Sequence, residues 1–180
     1  MNKKILIAIL IIIFAIGLAV WVLSNKKEVV EDENLKIVTS FYPIYIMTAN
    51  ITQNVPGVEV VNMTESNVGC LHDYTISTTD MKKVEKADIY IQSGLGLESF
   101  MNKIISAYPK LNVIDSSMNI SNRIQDENEI NPHIWTSLEN YIKQVEIICQ
   151  KLCEYDNKNA EIYKVNCETI NNSPNTSFNP

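Results

Sequence analysis

The sequence predicts an α/β domain on a four-stranded parallel sheet with crossover helices, preceded by an apolar amino-terminal helix. Two observations carry that reading. Four short segments rich in β-branched residues alternate with helix-patterned ones between Leu35 and Ser117. Such alternation lays parallel strands side by side with helices across them. The other is an unbroken apolar run from Ile5 to Leu23, flanked by Lys3, Lys4, Lys26 and Lys27. As a helix rising about 1.5 Å per residue, it would reach roughly 28 Å, close to the hydrocarbon thickness of a bilayer.

That run exceeds the apolar core of an ordinary signal peptide, so its length favours an uncleaved membrane anchor (residues 1–27) over a cleaved signal. No cysteine follows it closely to take a lipid. The lysines at its start are expected to stay inside, placing the chain from Glu28 onward on the extracellular face of the cell membrane. "EVVEDEN" reads as an acidic linker over 28–34. The first strand is expected over Leu35–Phe41. Pro43 opens a helix in which Ile44, Met47, Ile51 and Val55 recur at helical spacing, until Pro56-Gly57 stops it. Val58–Met63 reads as the second strand. Thr78, Thr79 and Asp80 are candidates to cap a short helix. Asp88–Gly94 is the third strand, "LESFMNKIISAYP" a helix ending at Pro109, and Leu111–Ser117 the fourth strand. "TSLENYIKQVEIICQKLCEYD" has Leu138, Ile142, Val145, Ile148 and Leu152 on one face, as an amphipathic helix requires. Another helix starts near Asn157 or Lys158. "NNSPNTSFNP", at 171–180, keeps no apolar period and reads as a disordered tail.

At 180 residues and net charge −6, with acidic and basic residues intermixed, the chain lacks the basic stripe that nucleic acid demands. It holds neither H-E-x-x-H nor G-x-S-x-G, so an enzyme is not predicted. "GLGLE" lacks the glycine spacing and the lysine of a phosphate loop; its glycines suit a tight turn, with Glu98 in the first turn of the next helix. Four cysteines are present: Cys70, Cys149, Cys153 and Cys167. Cys149 and Cys153 lie one helical turn apart, a poor geometry for a disulfide, and with Cys167 they read as small apolar helix residues.

Only two histidines occur, His72 in "GCLHDYT" and His133 in "NPHIWTS". One follows the second strand and the other the fourth, both in loops. In a parallel sheet the ligand crevice lies beyond the carboxyl ends of the strands, so the two imidazoles are expected at the same rim. The plainer role for His133 is to pack on Trp135 and cap the following helix.

"KADIYIQSGLGLESF", with Ala87, Asp88, Gly94, Leu97 and Glu98, is followed by "NPHIW", with Pro132, His133 and Trp135. Then come Asp156, Asn159, Ala160, Tyr163 and Asn166, while "LHDYTIST" contributes His72, Tyr74, Ser77 and Thr78. These blocks, in this order from about Leu35 through Ile170, resemble the zinc- and manganese-binding solute-binding proteins of bacterial ABC importers, of the cluster A-I lipoprotein and adhesin type. The resemblance implies a metal ion held between two α/β lobes joined by a long helix, with a permease as membrane partner. It makes residues 35–156 the first lobe, His72 and His133 its metal ligands for Zn2+ or Mn2+, and 157–170 the start of the linking helix.

Three departures stand out. The resemblance leads one to expect a second lobe after the linking helix, and residues 1–180 do not include it; Leu71 and Asn131 replace the proline and aspartate beside the histidines; and an apolar run stands in place of the lipid-bearing cysteine. Neutral imidazole is the form that donates to zinc, which takes four ligands. Two histidines leave half of that set to water, a partner, or the nearby Cys70, Asp73 and Glu129. The competing readings are a non-catalytic interaction module, an inactive truncated remnant of the family, or an interrupted reading frame.

Overall fold

A computed structural model describes residues 34–66, 68, 71–121, 125–126 and 129–172, together with residues 3, 7, 12–18 and 21. Residues 1–33 form one compact unit and the chain from Asn34 another. In the first, residues 12–18 are helical; among the described residues no helix is long and apolar enough to cross a membrane. Most of the apolar run, nearly all of the acidic linker, Cys70 and the tail beyond Asn172 lie outside the described residues.

The second unit is built on strands β1 (Leu35–Thr39), β2 (Val58–Asn62), β3 (Ile89–Gln92) and β4 (Asn112–Asp115). All pair in parallel, in the order β2-β1-β3-β4. Thr39 sits opposite both Asn62 and Ile91, and Gln92 opposite Asp115, so the four carboxyl ends form one rim. Ile37, Val38, Ile89, Tyr90 and Ile91 are buried, the near-continuous apolar run expected of inner strands covered on both faces.

Helix α1 (Tyr42–Ile51) follows β1, with Pro43 in its first turn, where the missing N–H costs nothing. It ends four residues before Val55, the expected last apolar position. Thr52 Oγ1 bonds back to the Thr48 carbonyl, and Asn54 takes a left-handed turn at φ 60°. Helix α2 (Thr78–Glu85) is capped by Ser77 together with Asp80, one of the three residues expected: the Ser77 hydroxyl accepts from the Asp80 amide while the Asp80 carboxylate accepts from the Ser77 amide. This reciprocal box satisfies two donors that a helix start leaves orphaned.

Helix α3 is only Met101–Ala107, shorter than the sequence pattern suggested. Gly94, Leu95 and Gly96 all adopt positive φ, and the chain needs Ser99 and Phe100 to recover a helical course. Glu98 therefore precedes the helix instead of decorating its first turn. After β4 a small antiparallel pair, β5 (Gln125–Asp126) and β6 (Glu129–Ile130), was not anticipated. Two-residue strands carry too little periodicity to register in sequence.

Helix α4 (Leu138–Tyr155) buries Tyr141, Val145, Ile148, Cys149 and Leu152. Leu138, expected on that face, is 48% exposed, and the polar Asn140 and Gln144 are buried instead. Gln144 Nε2 donates to Ser116 Oγ at 2.8 Å, tying the helix to the end of β4. A short 3-10 turn (Asn157–Asn159) leads into helix α5 (Ala160–Asn172), which runs two residues past the expected Ile170. The buried Asp156 Oδ2 accepts from Asn159 Nδ2 at 2.7 Å and from Tyr163 Oη at 2.8 Å. Asn166 Nδ2 donates to the carbonyls of Ile51 and Gln53, pinning α5 to the end of α1. Four residues of the Asp156–Asn166 block are thus accounted for by folding alone. Replacing Tyr163 with phenylalanine is expected to cost about 1–3 kcal/mol, because it strips a charged acceptor of a buried donor. Urea unfolding of the two chains would measure that difference.

Candidate metal centre

His72 and His133 arise from loops at opposite edges of the sheet, after β2 and β4. At about 4.8 Å per strand those edges are roughly 14 Å apart, so each loop must lean inward for the rings to meet. They do meet: the ring centroids lie 5.4 Å apart, with 41° between the planes.

The His72 loop is held at three points. Leu71 is fully buried, an apolar anchor where the resemblance led one to expect proline. Ser99 Oγ donates to the His72 carbonyl at 3.0 Å, from the connection after β3. Tyr74 Oη donates to Asp80 Oδ2 at 2.8 Å, and its ring meets Phe100 edge-on. Asp80, 4% exposed, also accepts from the amide and hydroxyl of Ser77. Burial and the Asp80 carboxylate push the Tyr74 hydroxyl up to about 12. A phenol with a raised pKa in the folded state stabilises the fold below its unfolded value, near 10, and loses that contribution as pH climbs through the folded one. Denaturant titrations from pH 9 to 11.5 are therefore expected to fall more steeply for the wild-type chain than for Tyr74→Phe.

The His133 loop is anchored by Ile134, fully buried, and by Trp135, whose ring meets Phe41 edge-on at 4.8 Å. Phe41 itself lies just beyond β1, so the anchor draws this loop over the central strands. His133 also packs on Trp135 at 5.2 Å between centroids, as the plainer role foresaw, but its side chain caps no helix.

Asn131 decides how the His133 ring is protonated. Its Oδ1 accepts the His133 backbone N–H at 2.9 Å and faces His133 Nδ1 at 2.8 Å. The backbone amide is an obligatory donor, so the Asn131 atom is oxygen. An acceptor oxygen facing Nδ1 requires the proton there, which puts the lone pair of the neutral ring on Nε2. This is the outer-shell arrangement that orients a metal-ligating imidazole, with an amide doing what a carboxylate often does. The departure from aspartate keeps the geometry and drops the charge.

Beneath the rim, Glu98 accepts from the amides of Ser93 at 2.7 Å and Gly94 at 3.1 Å. Burial raises its pKa, against the lowering effect of the Ser93 amide. Its role is to brace the Gly94–Ser99 turn that carries the support for His72. Among the described residues no three His, Cys, Asp or Glu side chains gather closely enough to hold a metal ion. Asp73 thus does not complete a trio with the imidazoles, while Cys70 and the Glu129 side chain lie outside the described residues. Sequence reading passed over Asn131 as a working group, although an Asn two residues before His133 is a recognised local hydrogen-bonding spacing. Ser99 and Phe41 carried no signal of their own.

Residues 37–175 match the family described as "Zinc-uptake complex component A periplasmic". The chain belongs to that family. It is 30% identical over 168 residues to the manganese-binding lipoprotein MntA of Halalkalibacterium halodurans, covering 92% of this chain and 55% of that one. It is 26% identical to the zinc-binding protein AdcA of Streptococcus pyogenes, over 94% of this chain and 36% of AdcA. The crystal structure of ZnuA superposes with a TM-score of 0.69 at 26% identity, over 75% of this chain and 52% of ZnuA. A Mn-bound periplasmic metal-binding protein from Candidatus Liberibacter asiaticus gives 0.66 at 31% identity, over 77% and 53%. The chain spans about half the length of the first of these relatives. Its sheet and helices are those of a ZnuA-like lobe, and the family is one of solute-binding proteins.

Proposed function

We propose that the chain is a metal-ion-binding solute receptor of an ABC importer and that it takes zinc or manganese through His72 and His133. The observation that supports this is the 5.4 Å between the two ring centroids. Two imidazoles bound to one tetrahedral zinc, each N–Zn about 2.0–2.1 Å, have their centroids about 5 Å apart. The rings therefore lie at a separation that suits a shared ion. Imidazole donors suit zinc, while carboxylates lean to manganese, so the choice of metal falls to the donors that complete the sphere. The permease partner, the membrane anchor over 1–27 and linker over 28–34, and the extracellular placement belong to the same reading. So do the first lobe at 35–156, the start of a linking helix at 157–170 and the tail at 171–180.

The test is a zinc titration of the full chain in detergent, carrying Trp21→Phe so that emission comes from Trp135 beside His133. A saturable change at one zinc per chain, matched by equilibrium dialysis, is expected. A flat titration with no retained zinc overturns the reading.

A further inference from the structure

The sequence reading set three cysteines aside as small apolar helix residues, and the metal centre makes no use of them. Cys149 and Cys153 lie on α4 and Cys167 on α5, and all three line one open groove of about 510 Å³. Each is a free thiol. The register of the two helices decides which can meet. Cys153 Sγ reaches the Ala160 carbonyl at 3.5 Å and Cys149 Sγ the Tyr163 carbonyl at 3.6 Å. One index rises as the other falls, so the helices run antiparallel.

Cys167 is one helical turn past Tyr163, about 5–6 Å along the axis from the level of Cys149. Every Cβ leans toward its own helix start. In an antiparallel pair that tilt carries the Cys149 side chain toward Cys167 and the Cys167 side chain toward Cys149. Both side chains line the same groove at that seam. Cys153 lies a further turn away from Cys167. On its own helix the Cβ of Cys153 stands about 5–6 Å from that of Cys149, beyond the ~3.5–4.5 Å a disulfide spans. The helix register and the Cβ tilt thus favour the cross-seam pair over either pair that includes Cys153.

We infer that Cys149 and Cys167 form a dithiol redox site, which low-molecular-weight disulfides oxidise to a bridge between α4 and α5. This goes beyond the metal-binding reading and does not depend on it. Cys149 is the attacking group. The Cys167 sulfur, then Cys153 and the Lys164 ammonium, draw the Cys149 pKa down against the raising effect of burial, whereas the Cys149 sulfur and burial push that of Cys167 up. In the first step the Cys149 thiolate attacks one sulfur of the small disulfide. A mixed disulfide forms and one small thiol leaves. In the second step Cys167 loses its proton to solvent and attacks the Cys149 sulfur, expelling the other small thiol. Two protein thiols are oxidised and one disulfide is reduced to two thiols. Glu146 and Glu168 flank the groove alongside Lys164, so an uncharged disulfide is the fitting reagent.

The full chain in detergent, under native conditions, would be incubated with 2-hydroxyethyl disulfide, then alkylated and digested without reduction. Mass spectrometry is expected to find a peptide pair joining Cys149 to Cys167, lighter than the reduced pair by two hydrogens. The oxidised chain should melt a few degrees higher, and dithiothreitol should reverse the shift. Cys153→Ser and Cys70→Ser should keep the bridge, while Cys149→Ser and Cys167→Ser should lose it. Both thiols remaining alkylatable, a mixed disulfide that goes no further, or a bridge to Cys70, Cys153 or a second chain would each overturn the assignment.

Discussion

Replacing His133 with alanine is expected to weaken zinc binding by more than about a hundredfold, and His72→Ala by a comparable factor. Outer-shell partners of a ligating histidine alone cost about 10–100-fold when removed, so losing the donor itself must exceed that. Neither ring is part of the buried core, so both variants should keep the fold and its circular dichroism. Asn131→Ala should fall in between, about 10–100-fold, because the ring remains but its Nδ1 proton is no longer held by the Asn131 oxygen. Asn131→Asp should recover or exceed wild-type affinity, since the same oxygen then carries charge. Competition against a chromophoric chelator reads all four. Equal affinity for wild type and both histidine variants would place the metal elsewhere.

Gly94→Ala is expected to destabilise the fold by about 2–6 kcal/mol. Two independent costs add. At φ +90° any side chain is strained, typically by about 1–3 kcal/mol. The added methyl would also run into the Asp115 carboxylate and the Ser117 hydroxyl, and overpacking of this kind costs about 1–3 kcal/mol. Asp115 cannot simply swing away, because its Oδ1 accepts from the Ser117 amide and its Oδ2 from Gln92 Nε2. Gly96→Ala, with open space around the position but φ +80°, bears only the first cost and serves as the control. Equal losses for both would leave backbone strain as the whole effect. Zinc affinity should fall with Gly94→Ala too, since the Gly94–Ser99 turn carries the hydroxyl that fixes the His72 carbonyl.

How far the fold was legible can be judged element by element. Strands β1 to β4 were found because buried parallel strands are short β-branched runs, and "KIV" and "DIYI" leave little else to choose. Their boundaries ran long, since a residue such as Phe41 is as apolar as a strand residue yet belongs to the next turn. The short α3 was overestimated because apolar period does not register the three positive-φ residues that precede it. At the site, the two histidines were singled out by scarcity and loop position. Asn131 and Ser99 were not, because a hydrogen bond to a backbone atom depends on where that atom ends up. The placement of Cys149 and Cys167 on one groove was missed for the same reason: spacing along one helix says nothing of the register between two.

The sequence by itself determined that four parallel strands would end in loops at one rim and that the only two imidazoles would sit in those loops. Period and propensity are local properties, and they suffice for that much. Only the tertiary structure decided the strand order, which puts the histidine-bearing loops at opposite edges, and the anchors that bring the rings together over the middle. Those anchors are Trp135 on Phe41 and Ser99 on His72, and each joins segments distant in the chain. The energy of such a contact depends on distances that the order of residues does not contain.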